Sequence, residues 1–127
     1  MLERNFDGQH VWIQSHDRKV QIDSMFFSCT DEKEINIEEG VQQNKVSKTK
    51  NYVYFPTIII CNPNALFYHH MVNAPNSFWL NYFIKKGINV MSWNYRGYGH
   101  TKGTPTPYNI KMDGESVLNY LVTTLKV

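Results

Sequence analysis

Two loops carry the residues whose types and spacing are suited to chemistry. The first, residues 62–70 with the sequence NPNALFYHH, follows a short apolar run at 57–61. The second, residues 94–107 with the sequence NYRGYGHTKGTPTP, follows another apolar run at 88–93. Both loops are rich in turn-forming and hydrogen-bonding residues, which bind ligands when a rigid sheet presents them. Function is therefore expected where the two apolar runs end.

The second loop contains three glycines, which superficially suggest a cradle for phosphate. They are Gly97, Gly99 and Gly103. Their spacing matches neither the dinucleotide-binding fingerprint nor the P-loop, and no helix is predicted to start at them. A compact phosphate-binding domain is therefore the third choice of function, and stabilisation by nucleotide would be its sign.

The histidines do not show the sequence spacing of a metal site. His69 and His70 are adjacent, so in a helix or a strand they point in different directions. His16 and His100 lie in loops without partners at ligand spacing. The sequence therefore predicts no bound metal and no cofactor, with these histidines either exposed or satisfied within the core.

A serine nucleophile would need the pattern G-x-S-x-G on a tight turn between a strand and a helix. The nearest match is GESVL at 114–118, which lacks the final glycine and any preceding strand. It also falls inside a predicted helix. The sequence therefore predicts that this segment is not a nucleophile elbow.

Composition indicates a folded chain of modest size. With 127 residues, 42% of them hydrophobic and 14% aromatic, the chain can bury one core, so one domain or part of one is expected. The net charge of +2 comes from scattered residues and does not indicate a nucleic-acid partner. Cys29 and Cys61 are too few for a disulfide scaffold, and we expect both to be reduced, Cys61 as a buried thiol in an apolar strand.

The N-terminal sequence MLERNFDGQH lacks the apolar core of a secretory signal. No stretch approaches the roughly 20 apolar residues of a membrane span. We therefore expect a soluble, cytoplasmic protein without a transmembrane segment. Peripheral association with a membrane is compatible with this expectation.

The first elements of the chain form a predicted β-hairpin at 10–27. Residues 10–14 and 19–27 have strand-like composition, and the polar turn SHDR separates them. Residues 30–51 are polar, with an acidic first half and lysines later, as is typical of a solvated connection.

Strands and helices then alternate. The runs at 57–61 and 88–93 are apolar without alternation, which indicates strands buried on both faces of a parallel sheet. Pro75 and Gly87 bracket a predicted helix whose aromatic residues form one broad face, interpreted as core packing. A second helix is predicted over 110–125, with several apolar residues inward, and Gly114 within it indicates either close packing or a ragged first turn. The aromatic face comprises Phe78, Trp79, Tyr82 and Phe83; the inward residues of the second helix are Val117, Leu118, Leu121 and Leu125.

These motifs together resemble the N-terminal third of an α/β-hydrolase over residues 56–121. The resemblance is closest to the branch that includes phosphatidylserine lipases and protein depalmitoylases. It is carried by Asn64 and Ala65, by Phe67 and Tyr68, by WNYRGYG at 93–99, and by Thr101, Gly103, Pro105 and Pro107. The implied fold class is α/β: a partial hydrolase domain over 1–127, in which a hairpin and a polar connection precede a βαβα core at 56–127.

The resemblance also implies a site. In that fold the loop after the first parallel strand supplies one backbone N–H of the oxyanion hole, which would come from Asn64 or Ala65. The family usually has His-Gly where this chain has Asn62 and Pro63, and proline has no N–H to donate. The alternative is that NPNA is only a turn. Arg96 is expected to form a structural ion pair or backbone hydrogen bond and not to act in catalysis.

The function implied by the resemblance is that of a serine hydrolase acting on esters or thioesters of the lipid or acyl-protein class. The nucleophile, the acid and the histidine base would follow Val127, so we expect an N-terminal fragment that is inactive as written and meets substrate only when the domain is completed.

The alternative is a noncatalytic interaction protein that pairs with a partner, or with itself, through an open sheet edge. In the full fold the strand at 57–61 would lie between the strand at 88–93 and a further one. Without that further strand an apolar edge would be bare, and the chain would be marginally stable and prone to self-association.

Overall fold

The computed structural model describes residues 8–30, 51–63, 66–73 and 77–127. Most of the predicted polar connection and Pro75, which was expected near the start of a helix, lie outside these ranges. The strands are β1 (Gln9–Gln14), β2 (Gln21–Phe27), β3 (Thr57–Cys61) and β4 (Asn89–Trp93). The helices are α1 (Tyr68–Val72), α2 (Phe78–Lys85) and α3 (Pro107–Tyr120), with a 3₁₀ turn at Asn51–Tyr54 and a π-helical turn at Leu121–Leu125.

The four strands form one mixed sheet in the order β1-β2-β4-β3. The predicted hairpin is confirmed, since β1 and β2 pair in antiparallel register. β2 continues antiparallel onto β4, and β3 pairs with β4 in parallel, from Thr57 beside Asn89 to Cys61 beside Trp93. A parallel pair needs a crossover, and α1 and α2 lie in the chain between β3 and β4. The predicted α/β class is therefore confirmed.

Two apolar clusters pack on opposite faces of this sheet. One joins strand residues such as Phe26, Met91 and Trp93 to Val117 of α3 and Leu121. The other joins alternate strand residues to α2; it consists of Phe27, Leu80 and Val90 with partly buried neighbours. Because side chains alternate along a strand, β4 contributes to both clusters and is buried throughout. β4 therefore has the two-sided burial predicted for it.

β3 is less buried than the sequence predicts. Thr57, Ile58, Ile59 and Ile60 are only partly buried and Cys61 is exposed, so the expectation of a buried thiol is wrong. Within the described ranges β3 is the last strand of the sheet, which leaves one side of it without a neighbouring strand.

Helix α2 does not use its whole aromatic face for packing. Phe78 is 77% exposed and Tyr82 is 58% exposed, whereas Leu80 is fully buried. Trp79 and Phe83 are partly buried against the second apolar cluster. Residues four apart share a helix face, so Phe78 and Tyr82 point together away from Leu80. The interpretation of all four aromatic residues as core is therefore wrong for these two.

Helix α3 begins three residues earlier than predicted. The Thr106 hydroxyl accepts a hydrogen bond from the backbone N–H of Asn109 at 3.1 Å, and Pro107 occupies the first turn, as is common at helix starts. Leu118 is 52% exposed and not inward as predicted, although Val117 is buried. A Cβ on Gly114 would lie 3.4 Å from the Trp93 ring, which supports the expected close packing.

Candidate functional site

The carboxyl ends of β3 and β4 lie at the same edge of the sheet because the two strands are parallel. Ligands of open α/β sheets bind at this edge. The loop after β3 and the loop after β4, which the sequence singled out, therefore meet there. Asn64 and Ala65, the predicted oxyanion-hole donors, lie outside the described residues. The residues on either side of them are described.

A single buried side chain holds both ends of the loop after β3. The carbonyl oxygen of the Asn94 amide accepts a hydrogen bond from Asn62 Nδ2 at 3.1 Å and another from the backbone N–H of Tyr68 at 2.8 Å. Asn62 Nδ2 also donates to the backbone carbonyl of Trp93 at 2.7 Å. Asn94 is fully buried. Asn62 and Tyr68, which lie on either side of positions 64 and 65 in the sequence, are thus both held against the end of β4.

Tyr95 adds a second anchor to the same loop. Its hydroxyl donates to the backbone carbonyl of Asn62 at 2.9 Å. Burial raises the pKa of Tyr95 to about 12, and the nearby Cys61 thiol contributes to the shift. Tyr95 therefore remains a protonated hydrogen-bond donor at physiological pH.

Asp23 of β2 forms the centre of a buried polar network beside this loop. Its carboxylate accepts hydrogen bonds from Tyr68 Oη at 2.7 Å, His10 Nε2 at 2.7 Å, Asn94 Nδ2 at 2.9 Å and the backbone N–H of His100 at 3.3 Å. Burial by itself would raise the pKa of Asp23, but the hydrogen bonds outweigh it and hold the pKa below its usual value. Asp23 is therefore a buried anion with partners on both oxygens.

The phenol that faces Asp23 shows the complementary effect. Burial, followed by the hydrogen bond to Asp23, raises the pKa of Tyr68 far above its usual value. Tyr68 is completely buried and keeps its proton. It connects the start of α1 to β2, on which Asp23 lies.

Two histidines, His69 of α1 and His100 of the loop after β4, adjoin this network. The His69 ring stacks on Tyr68 at 4.0 Å between centroids and meets the His100 ring edge-on at 5.6 Å. Potential ligand atoms of Asp23, His69 and His100 all lie within 4.8 Å of one another. His69 Nδ1 and Asn62 Oδ1 are buried without a hydrogen-bond partner among the described residues. The prediction of no metal rested on sequence spacing, which does not reveal this group.

The turn after β4 supports the site through an ion-pair cluster. Arg96 donates to Asp113 at 2.7 and 2.8 Å and to Asp17 at 2.9 and 3.0 Å, which confirms the predicted structural ion pair.

Gly99 has a φ of +55°, and a Cβ there would lie 2.3 Å from Asn94 Nδ2. Glycine is required at this position because the chain passes so close to the asparagine.

The segment GESVL has the predicted helical setting. Residues 114–118 lie inside α3, and the Ser116 hydroxyl donates to the backbone carbonyl of Met112 at 3.0 Å, one helical turn earlier. A nucleophile elbow needs a strand before it and a sharp turn. Ser116 has neither.

No local signal in the sequence reveals the Asp23 network. His10 and Asp23 are 13 positions apart, whereas Asp23 lies 71 positions from Asn94 and 77 from His100. The pairing of β1 with β2 brings His10 to Asp23. The pairing of β2 with β4 brings Asn94 there, since Asn94 directly follows the residue paired with Ser24. Asp23 and Asn94 are therefore site residues that sequence reasoning missed.

Comparison with known proteins gives a partial sequence relative and a shared fold. No family model matches this chain. An uncharacterized membrane protein of Saccharomyces cerevisiae is 30% identical over 74 residues, which are 58% of this chain and 25% of the yeast protein. The match thus spans a quarter of that relative.

The fold is shared with the Pyrococcus furiosus esterase Pf2001, solved in two crystal forms. Both superpose with a TM-score of 0.63 at 15% sequence identity. They cover 95% and 94% of this chain but only 38% and 36% of the esterase chains. The chain therefore shares a fold with part of that esterase.

Among the helices in the described ranges, none combines the length and the apolar character needed to cross a membrane.

Proposed function

We propose that this chain supplies the N-terminal strands and the oxyanion-hole loop of a serine hydrolase that cleaves esters or thioesters, of the lipid or acyl-protein class. The observation that carries the proposal is the double anchoring of the loop after β3 by Asn94. The esterase-like fold supports the same reaction class.

The proposed chemistry needs a rigid loop. When a serine attacks the acyl carbonyl, the carbonyl oxygen becomes an oxyanion, and fixed N–H groups stabilise it more than they stabilise the substrate. A backbone N–H of Asn64 or Ala65 would be one donor, and a misplacement of about 1 Å can cost about a hundredfold in rate. Asn94, which fixes Asn62 and Tyr68 on either side of the donors, would act as a positioning residue.

The 127 residues contain no G-x-S-x-G segment. We therefore expect this chain alone not to hydrolyse esters, because the acyl-enzyme reaction requires a serine, a base and an acid from further sequence. The second donor of the oxyanion hole would also come from further sequence, since it is the backbone N–H of the residue that follows the nucleophile.

The test begins with sequencing of the transcript beyond the codon for Val127. If the frame continues into a strand and G-x-S-x-G, the longer product should react with a fluorophosphonate probe and release p-nitrophenol from acyl esters, whereas the 127-residue chain should do neither. A longer product with the elbow that neither reacts with the probe nor turns over acyl esters and thioesters would refute the proposal, as would a stop codon directly after Val127.

The role of Asn94 is tested in that longer product by Asn94→Ala. We expect kcat to fall about a hundredfold with a smaller change in KM, because the transition state depends on the placement of the donor. Asn119→Ala, which truncates an exposed asparagine of α3, is the matched control. Tyr95→Phe keeps the ring but removes the hydroxyl that donates to the Asn62 carbonyl, and it should lower kcat less. It gives a readout even if Asn94→Ala fails to fold.

A noncatalytic interaction module is the second candidate, favoured by one observation. β3 ends the sheet within the described ranges, with Ile58, Ile59 and Ile60 only partly buried. Such an edge can pair with another strand. If this is its function, light scattering on the 127-residue chain would give a monodisperse oligomer. Any product that extends beyond Val127 would then fail to react with serine-directed probes. A monomer, or a reactive longer product, would contradict it.

A further inference from the structure

We propose that Asp23, His69 and His100 form a binding site for a divalent transition metal of the zinc type. The three side chains come from β2, α1 and the loop after β4, and the ligand atoms that they offer lie within 4.8 Å of one another. This site goes beyond the proposed hydrolase function, since it uses neither Asn64 nor Ala65 and requires no nucleophile.

The distances are close to those of a coordinated ion. Zinc lies 2.0–2.2 Å from nitrogen and oxygen ligands, so tetrahedral ligand atoms are about 3.4 Å apart. The three groups, whose ligand atoms lie up to 4.8 Å apart, therefore have to close by at most about 1.4 Å. His100 is exposed and lies on a loop, so it can make this movement while Asp23 stays in its buried position.

The donor chemistry also fits. Two imidazoles and a carboxylate are the ligand types of catalytic zinc sites, which leave a fourth position open. His69 Nδ1 is buried and has no hydrogen-bond partner among the described residues, which is unusual for a polar atom in a folded protein.

The surroundings of Asp23 are those of a supported ligand. Metal-binding carboxylates are themselves hydrogen-bonded, which fixes their orientation. Here His10 and Tyr68 donate to one oxygen at 2.7 Å, and Asn94 donates to the other at 2.9 Å. The weakest contact is the 3.3 Å bond from the backbone N–H of His100 to Oδ2. A metal ion would bind on this oxygen and replace that bond.

The experiment is a titration of the 127-residue chain with Zn²⁺ by calorimetry in a non-chelating buffer, with Co²⁺ absorption as a probe of coordination geometry. We expect one Zn²⁺ per chain and the visible absorption of tetrahedral Co²⁺. His100→Ala should weaken binding at least tenfold. His10→Ala, which removes a hydrogen bond to the carboxylate and no ligand, should weaken it ten- to a hundredfold.

His70→Ala is the matched control. His70 is exposed and lies next to His69 on α1, but it is not one of the three proposed ligands. Its affinity for Zn²⁺ should equal that of the unchanged chain. The proposal is overturned if the unchanged chain binds no Zn²⁺ at millimolar concentration, if His100→Ala binds as tightly as the unchanged chain, or if His70→Ala loses as much affinity as His100→Ala.

Circular dichroism of each variant checks that the fold is retained, which we expect for His100→Ala because His100 is exposed. The measurement is independent of serine reactivity. If the chain binds zinc but the longer product does not react with the probe, the metal site is supported and the hydrolase function is refuted. If the longer product reacts but the chain binds no zinc, the hydrolase function is supported and the metal site is refuted.

Discussion

Two buried polar clusters of this molecule differ in how completely their groups are paired. In the arginine cluster, Arg96 pairs with Asp113 and Asp17 through four short hydrogen bonds. In the aspartate cluster, centred on Asp23, every carboxylate oxygen is paired, yet His69 Nδ1 and Asn62 Oδ1 at its border have no partner among the described residues.

The difference indicates which cluster holds the fold and which is available to a ligand. The arginine cluster ties the β1–β2 turn, the loop after β4 and α3 together, and its donors are directed at protein groups. The aspartate cluster lies at the carboxyl ends of β3 and β4, where ligands bind in sheets of this kind. Buried polar atoms without partners are expected at functional sites more than elsewhere.

The largest expected effect is on the arginine cluster. Arg96→Met leaves Asp113, which is 1% exposed, as an unpaired buried carboxylate, so the free energy of unfolding should fall by about 3–5 kcal/mol. Urea denaturation measures it. Lys102→Met, an exposed change in the same loop, is the control and should have little effect. A loss below about 1 kcal/mol would show that the cluster contributes no more than a surface ion pair does.

A smaller effect is expected in the aspartate cluster. Tyr68→Phe keeps the buried ring but removes the hydrogen bond to Asp23, so at pH 7 the free energy of unfolding should fall by about 1.5–3 kcal/mol. Val122→Ala, an exposed change in the C-terminal helical turn, serves as the control.

This loss should depend on pH in a defined direction. The pKa of Asp23 is lower in the folded state than in the unfolded state, so its stabilisation is present above the unfolded pKa of about 4 and is lost as the pH falls through the folded pKa. The difference between Tyr68→Phe and the unchanged chain should therefore shrink in acid. A difference that is constant from pH 7 to pH 3 would contradict the charged state assigned to Asp23.

The smallest effect is expected for a charged pair outside both clusters. Lys111 and Glu115 approach to 3.8 Å on the surface of α3, with side chains 72% and 56% exposed. Lys111→Ala should change the free energy of unfolding by at most about 0.5 kcal/mol, and the change should disappear at 1 M salt. If Lys111→Ala lowered the free energy of unfolding as much as Tyr68→Phe does, exposed and buried polar contacts would contribute equally to the stability of this chain, contrary to expectation.

Much of the fold could be predicted from local patterns. The hairpin, the apolar strands and the two longer helices follow from the spacing of apolar residues and from turn residues such as Gly87. The errors concern the orientation of side chains. Phe78, Tyr82 and Leu118 were assigned to the core because they are apolar, but the neighbouring Leu80 and Val117 occupy the packed faces of their helices.

The candidate site was predicted only in its location. Residue types along the chain are enough to predict that two polar loops follow two apolar strands, and that Arg96 lies in a turn suited to an ion pair, because such features depend on neighbours along the chain. Only the tertiary structure decided that Asn94 holds both ends of the loop after β3 and that Asp23 adjoins His69 and His100. The contacts of Asn94 with Asn62 and Tyr68 depend on the parallel register between β3 and β4. The register between β2 and β4 brings Asp23 to Asn94 and His100, which lie more than 70 positions away along the chain.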